Sequence, residues 1–152
     1  SVQGGSQTSR GAEVTASVTL AQAWRLEANA AYTDAQFDQL IENGNQSRAG
    51  NRPSDVPKVS ANLWLNYRDH GWRASAGTRY VGERFIDNAN SQTIPAYTTF
   101  DASLGWNYSR NVLVQINLRN VTDKLYASTS YSDSQYLLGD RRHAELTVQW
   151  RY

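Results

Sequence analysis

Fifteen cationic side chains, only two of them Lys (Lys58 and Lys124), make arginine the main carrier of chemistry in this chain. A guanidinium is planar, permanently charged and matched to carboxylate or phosphate through paired N–H donors. Arg48 and Arg52 lie in the longest polar segment, and Arg79 and Arg84 lie toward the end of a strand-like stretch; these four are the candidate ligand-binding residues. The plainer role for such arginines is pairing with Asp or Glu of neighbouring strands. Ser, His and Asp are all present, but neither nucleophile-elbow spacing nor a phosphate-binding glycine loop occurs, so no catalytic residue is named and no enzyme is expected. The two histidines, His70 in a turn and His143 near the end of the chain, are placed too far apart to share a metal, and there is no Cys. No metal site and no cofactor are expected. Fifteen Lys and Arg against fourteen Asp and Glu leave the chain almost neutral, which excludes a charge-driven nucleic-acid binder.

The elements that would position these residues follow from period-2 alternation, the mark of a strand whose two faces meet different surroundings. Val14, Ala16, Val18 and Leu20 oppose Glu13, Thr15, Ser17 and Thr19, and Trp24, Leu26, Ala28, Ala30 and Tyr32 oppose Arg25, Glu27, Asn29 and Thr33. Val59 to Tyr67 continues the pattern, with Trp64 breaking the polar row, followed by Trp72 to Tyr80, Phe100 to Tyr108, Val112 to Leu118 and Ala144 to Tyr152. About seven antiparallel strands result. Tight turns at 21–23, 69–71 and 109–111 alternate with polar segments at roughly 38–57, 87–95 and 127–139, rich in Asn, Ser, Gly and Asp. The tripeptides at 45–47, 107–109 and 120–122 match the glycosylation pattern incidentally.

Strand length and aromatic placement separate a membrane wall from a soluble sandwich. Several strands run for roughly 11 to 15 residues, against about 5 or 6 in soluble sheets. At a tilt near 40°, a strand of about 13 residues rises roughly 30 Å, enough to cross the apolar band and its interfaces. Trp24, Tyr67, Trp72, Trp106 and Tyr108 flank the short turns, Trp150 and Tyr152 would reach the same rim, and Tyr32, Tyr80 and Phe100 lie toward the opposite one. That is a two-girdle distribution. No apolar run approaches the roughly 18 residues of a membrane helix, and the opening residues carry no signal-peptide pattern, so the true N-terminus is expected to lie upstream. An odd strand count points the same way, because single-chain bacterial barrels have even numbers and no free edge. The fold class is therefore all-β, antiparallel transmembrane barrel strands, with residues 1–152 forming part of a larger barrel.

The stretches SRGAEV (Ser9 to Val14), WRLEANAAYTDAQF (Trp24 to Phe37), VPKVSANLWLNY (Val56 to Tyr67), GTRYVGERF (Gly77 to Phe85), IPAYTTFDASLGW (Ile94 to Trp106) and INLRNVTDKLY (Ile116 to Tyr126) occur in order along the chain. Together with the terminal aromatic Tyr152, they resemble the final strands of TonB-dependent outer-membrane receptors, especially the siderophore-receptor branch. The resemblance implies a 22-stranded barrel whose plug and upstream strands are absent from this chain. It also implies localisation in the bacterial outer membrane and import of a scarce ligand, most often a ferric siderophore, energised by TonB through the missing plug. Under it, Arg48, Arg52, Arg79 and Arg84, with nearby Tyr, would hold an anionic ferric chelate. Arg142, outward near the outer rim, would meet lipopolysaccharide phosphate, the outward rows would meet outer-membrane lipid, and the last strand would be handed to the barrel assembly machinery. Two other readings compete: a small outer-membrane barrel or adhesin binding a partner through its loops, and a soluble aromatic-rich β-sandwich module.

Overall fold

The computed structural model describes residues 5–42, 44–132 and 135–152. Seven long strands form one antiparallel sheet: β1 (Ser6–Ala21), β2 (Trp24–Gln39), β5 (Val59–Asp69), β6 (Trp72–Val81), β9 (Tyr97–Asn107), β10 (Val112–Arg119) and β13 (His143–Trp150). They adjoin in the order in which they occur in the chain, a simple up-and-down meander. Three two-stranded hairpins stand in the long connections: β3 (Ile41–Glu42) with β4 (Gln46–Ser47), β7 (Arg84–Phe85) with β8 (Thr93–Ile94), and β11 (Ala127–Ser132) with β12 (Gln135–Leu138).

Register decides which residues share a face. Val14 pairs with Ala30, Ala30 with Ala61 and Ala61 with Tyr80. Further along the sheet, Ala74 pairs with Leu104, Leu104 with Ile116 and Ile116 with Leu146. Every apolar row read from the sequence thus falls on one surface. The opposite surface is a polar ladder: Asn62 donates to Asn29 at 2.9 Å, Asn66 donates to Glu27 at 3.1 Å, and the hydroxyls of Ser75 and Ser103 lie 2.7 Å apart.

A sandwich would bury its apolar rows against a second layer. Here Val14 is 62% exposed and Leu146 69%, and among the described residues the buried apolar side chains are Ala35, Pro53 and Ile94. The apolar face is unpaired with any other protein layer, as a lipid-facing wall requires. Aromatic side chains bind the short-turn rim together. Trp24 meets Tyr67 at 4.9 Å, Trp72 stacks on Trp106 at 5.6 Å, and Trp106 meets Tyr108 edge-on at 5.4 Å. The middle turn has both central residues in the left-handed region, His70 at φ 45° and Gly71 at φ 80°. That pattern matches the right-handed twist of the flanking strands.

Two sequence expectations need correction. The first two strands are longer than their alternation indicated, starting at Ser6 and ending at Gln39, because above the apolar band the lipid-side row turns polar, as at Arg10 and Asp34, and no longer continues the apolar row below. The segments expected as plain loops contain β3–β4, β8 and β11–β12, and β7 stands just before the second of them, all too short for periodicity to register.

Candidate functional site

Three connections crown the long-loop end of the sheet: loop A (residues 40–58), loop B (82–96) and loop C (120–142). Short polar side chains tie A to B. Asn90 accepts from the Arg52 backbone N–H at 2.8 Å and donates to the Arg52 carbonyl at 2.7 Å. Asn88 accepts from Ser54 N–H at 3.1 Å through its side chain and from the Asn51 amide at 2.8 Å through its carbonyl. Its own amide donates to Glu42 at 2.8 Å. Asn and Asp suit these places because they tolerate left-handed backbone, as Asn90 (φ 56°) and Asp55 (φ 61°) do.

Arg84 ties in loop C. Its side chain is almost wholly buried, with Nε donating to Asp55 of loop A at 2.5 Å and Nη2 donating to the carbonyls of Ala127 at 3.0 Å and Ser128 at 2.5 Å. The guanidinium also lies 5.7 Å from the centre of the Tyr97 ring, and Thr129 donates to the second oxygen of Asp55 at 2.7 Å. Arg84 belongs to β7, within loop B, and not to the fourth long strand as the sequence suggested.

The other candidates divide. Arg48 donates to Glu42 at 3.2 Å and to Gln46 at 2.8 Å, so its charge is used inside loop A. Arg52 places its guanidinium 5.2 Å from the centre of the Phe85 ring and makes no ion pair among the described residues. Arg79 sits lower, on the polar face of β6 opposite Thr99 and Asn62, exposed and without an ion pair among the described residues. Arg48, Arg52 and Arg84 therefore share the loop layer, and Arg79 belongs to the wall beneath it.

That wall holds residues the sequence reading did not assemble. A concavity of about 490 Å³ on the polar face is lined by Arg79, Trp64, Asp101, Arg119, Tyr126 and Asp140, among others. Trp64, the residue that broke its polar row, lies over Gly77: a Cβ there would stand 2.3 Å from the indole. Burial, followed by the neighbouring Tyr97 and Asp140, pushes the Tyr126 phenol above its ordinary value, so its O–H stays protonated at neutral pH. At the base of loop C the buried Asn120 side chain accepts from Lys124 N–H and donates to the carbonyls of Lys124 and Asp140. Asp123 receives two N–H groups of Arg141 and the backbone N–H of Arg142. Arg141 and then Arg142 hold this carboxyl well below the usual carboxylate range. The two histidines end at opposite rims, His70 in a short turn and His143 at the start of β13.

The geometry is that of a membrane wall with a polar inner face and a latched loop layer. A family model described as TonB dependent receptor-like, beta-barrel, matches residues 1–121. The chain belongs to that family. TonB-dependent receptors are outer-membrane transport proteins and not enzymes. The chain is 34% identical over 158 residues to the ferrioxamine receptor of Yersinia enterocolitica, covering 99% of this chain and 22% of the relative. It is 29% identical to the ferrichrome outer membrane transporter/phage receptor of Escherichia coli K12, covering 100% of this chain and 21% of the relative. Among solved structures it is similar to the siderophore receptor PiuA from Acinetobacter baumannii, with a TM-score of 0.85, 26% identity and coverage of 97% of this chain and 22% of that one. The chain thus spans about a fifth of the length of the receptors it matches.

Proposed function

We propose that residues 1–152 form the C-terminal wall of a larger, 22-stranded siderophore receptor that imports a ferric chelate across the outer membrane. The observation that carries this reading is similarity along 99% of the chain to a receptor named for ferrioxamine. The lipid-facing rows and the latched loop layer are what such a receptor needs on one side of its barrel. Energy would come from TonB through a plug outside this chain. The last strand would be the one handed to the barrel assembly machinery, and Arg142 and the outward rows would meet lipopolysaccharide and lipid. In the vestibule, Arg52 and Arg79 are the proposed direct contacts, since each presents a guanidinium without an acidic partner among the described residues. Arg48 and Arg84 belong to the frame of the same site.

The test is radiolabelled iron uptake by the intact receptor, in cells lacking their own siderophore receptors, from ferrioxamine B and from a ferric tris-catecholate. Uptake of one chelate that disappears on deletion of TonB is expected. Equal accumulation with and without TonB, or none from either chelate, would overturn the reading.

A further inference from the structure

We propose that Arg84 is a positioning residue of the vestibule: it holds loops A and C together from behind and makes no contact with the imported chelate. This rests on the reading of the vestibule as the chelate site. Arg84 is only 2% exposed, which leaves no surface for a ligand to cover. Nε and Nη2 are spent on three groups from two other loops, the Asp55 carboxylate of loop A and the Ala127 and Ser128 carbonyls of loop C. Asp55 is itself bridged to loop C by Thr129, so the latch closes a small ring: Arg84, Asp55, Thr129 and the backbone at 127–129. Loop B enters the ring twice, through Arg84 itself and through the Phe85 carbonyl, which accepts from the Asp55 N–H at 2.9 Å. Nη1 is buried with no acceptor among the described residues, so the latch is not saturated within this wall.

The chemistry requires arginine. The guanidinium meets the carboxylate through Nε and the two adjacent carbonyls through Nη2, two nitrogens held apart in one plane; a lysine ammonium would have to reach all three acceptors from one point. Asp55 also holds its backbone at φ 61°, a cost repaid only while the latch is closed. The three loops therefore form one pre-ordered layer before any chelate arrives, and the direct work of recognition falls to side chains that line its open surface.

Arg84→Lys in the intact receptor tests this, with Thr129→Val as a milder cut of the same ring. In the ligand-free receptor, amide hydrogen exchange across 126–130 and 54–56 should speed by about tenfold in Arg84→Lys, the loss of roughly one charge-assisted hydrogen bond, and by less in Thr129→Val. Heat-modifiability of the barrel should be unchanged. Affinities for ferrioxamine B and for a ferric tris-catecholate should fall by a common factor, leaving their ratio as in the wild type. Unchanged loop exchange in both variants would overturn the latch. Loss of binding confined to the more anionic chelate would overturn the positioning role in favour of direct contact. Failure of the wild type to bind either chelate would count against the chelate reading, while the exchange measurement still decides the latch.

Discussion

The side chain most out of place in the sequence is Trp64, an indole in a row otherwise made of Ser60, Asn62, Asn66 and Arg68. Its partner depends on the turn: the three-residue turn read at 69–71 would set it opposite Ala76, whereas the two-residue turn at His70 and Gly71 makes Asp69 face Trp72 and sets Trp64 opposite Gly77. A glycine there leaves strand β6 bare, and the large ring covers the gap, a device known to rescue glycine within sheets. Gly77→Ala should therefore force the indole away and cost about 1–3 kcal/mol, read as a lower midpoint of heat-modifiability. The cost should vanish in a Trp64→Ala background, because nothing then occupies the space; an equal cost in both backgrounds would show that backbone and not ring is at stake. Arg84 was not legible in this way. Its partners Asp55 and Ala127 lie 29 and 43 residues away in segments without periodicity, and a buried arginine looks the same in sequence as an exposed one.

At the scale of elements, alternation located all seven long strands wherever one face meets lipid, since lipid imposes a contrast that the chain must mirror. Where β1 and β2 rise beyond the band the contrast disappears: Arg10 pairs with Asp34 and Thr8 donates to Asp38, polar on the face that is apolar lower down. The hairpins β7–β8 and β11–β12 follow other rules: left-handed Asn90 and its hydrogen bonds to loop A hold the first, and the Arg84 guanidinium holds the backbone of the second. The lipid contrast gives a graded prediction on β13, where Val148 lies opposite Val114 and away from the aromatic rim at Trp150. Arg at Val148 should destabilise the intact barrel by up to about 2–4 kcal/mol, and less at Trp150 near the interface. Arg at Gln149, on the polar face, should cost little. Unfolding in liposomes measures all three, and an equal cost at 148 and 149 would contradict the assignment of faces.

For the whole molecule, the governing feature is that the sheet does not close. Its order begins with β1 and ends with β13, and neither pairs with the other or with any further strand among the described residues. Both are exposed along their whole length, unlike the five strands between them. In hydrocarbon, each backbone N–H or C=O left unpaired costs on the order of several kcal/mol, and nothing in a bilayer core can substitute for a neighbouring strand. Closing the two edges on one another by curling would force the charged ladder of Arg25, Glu27, Arg73 and Arg79, together with Trp64, into the interior of a barrel of only seven strands. The 152-residue chain expressed alone should therefore associate through its edges, giving oligomers or aggregates in detergent. Co-refolding with a segment that supplies the neighbouring strands should convert it to a discrete, heat-modifiable species. Sedimentation of the two preparations distinguishes the cases: a monodisperse monomer of the isolated chain would mean that β1 and β13 find each other after all, and that the wall is a barrel in its own right.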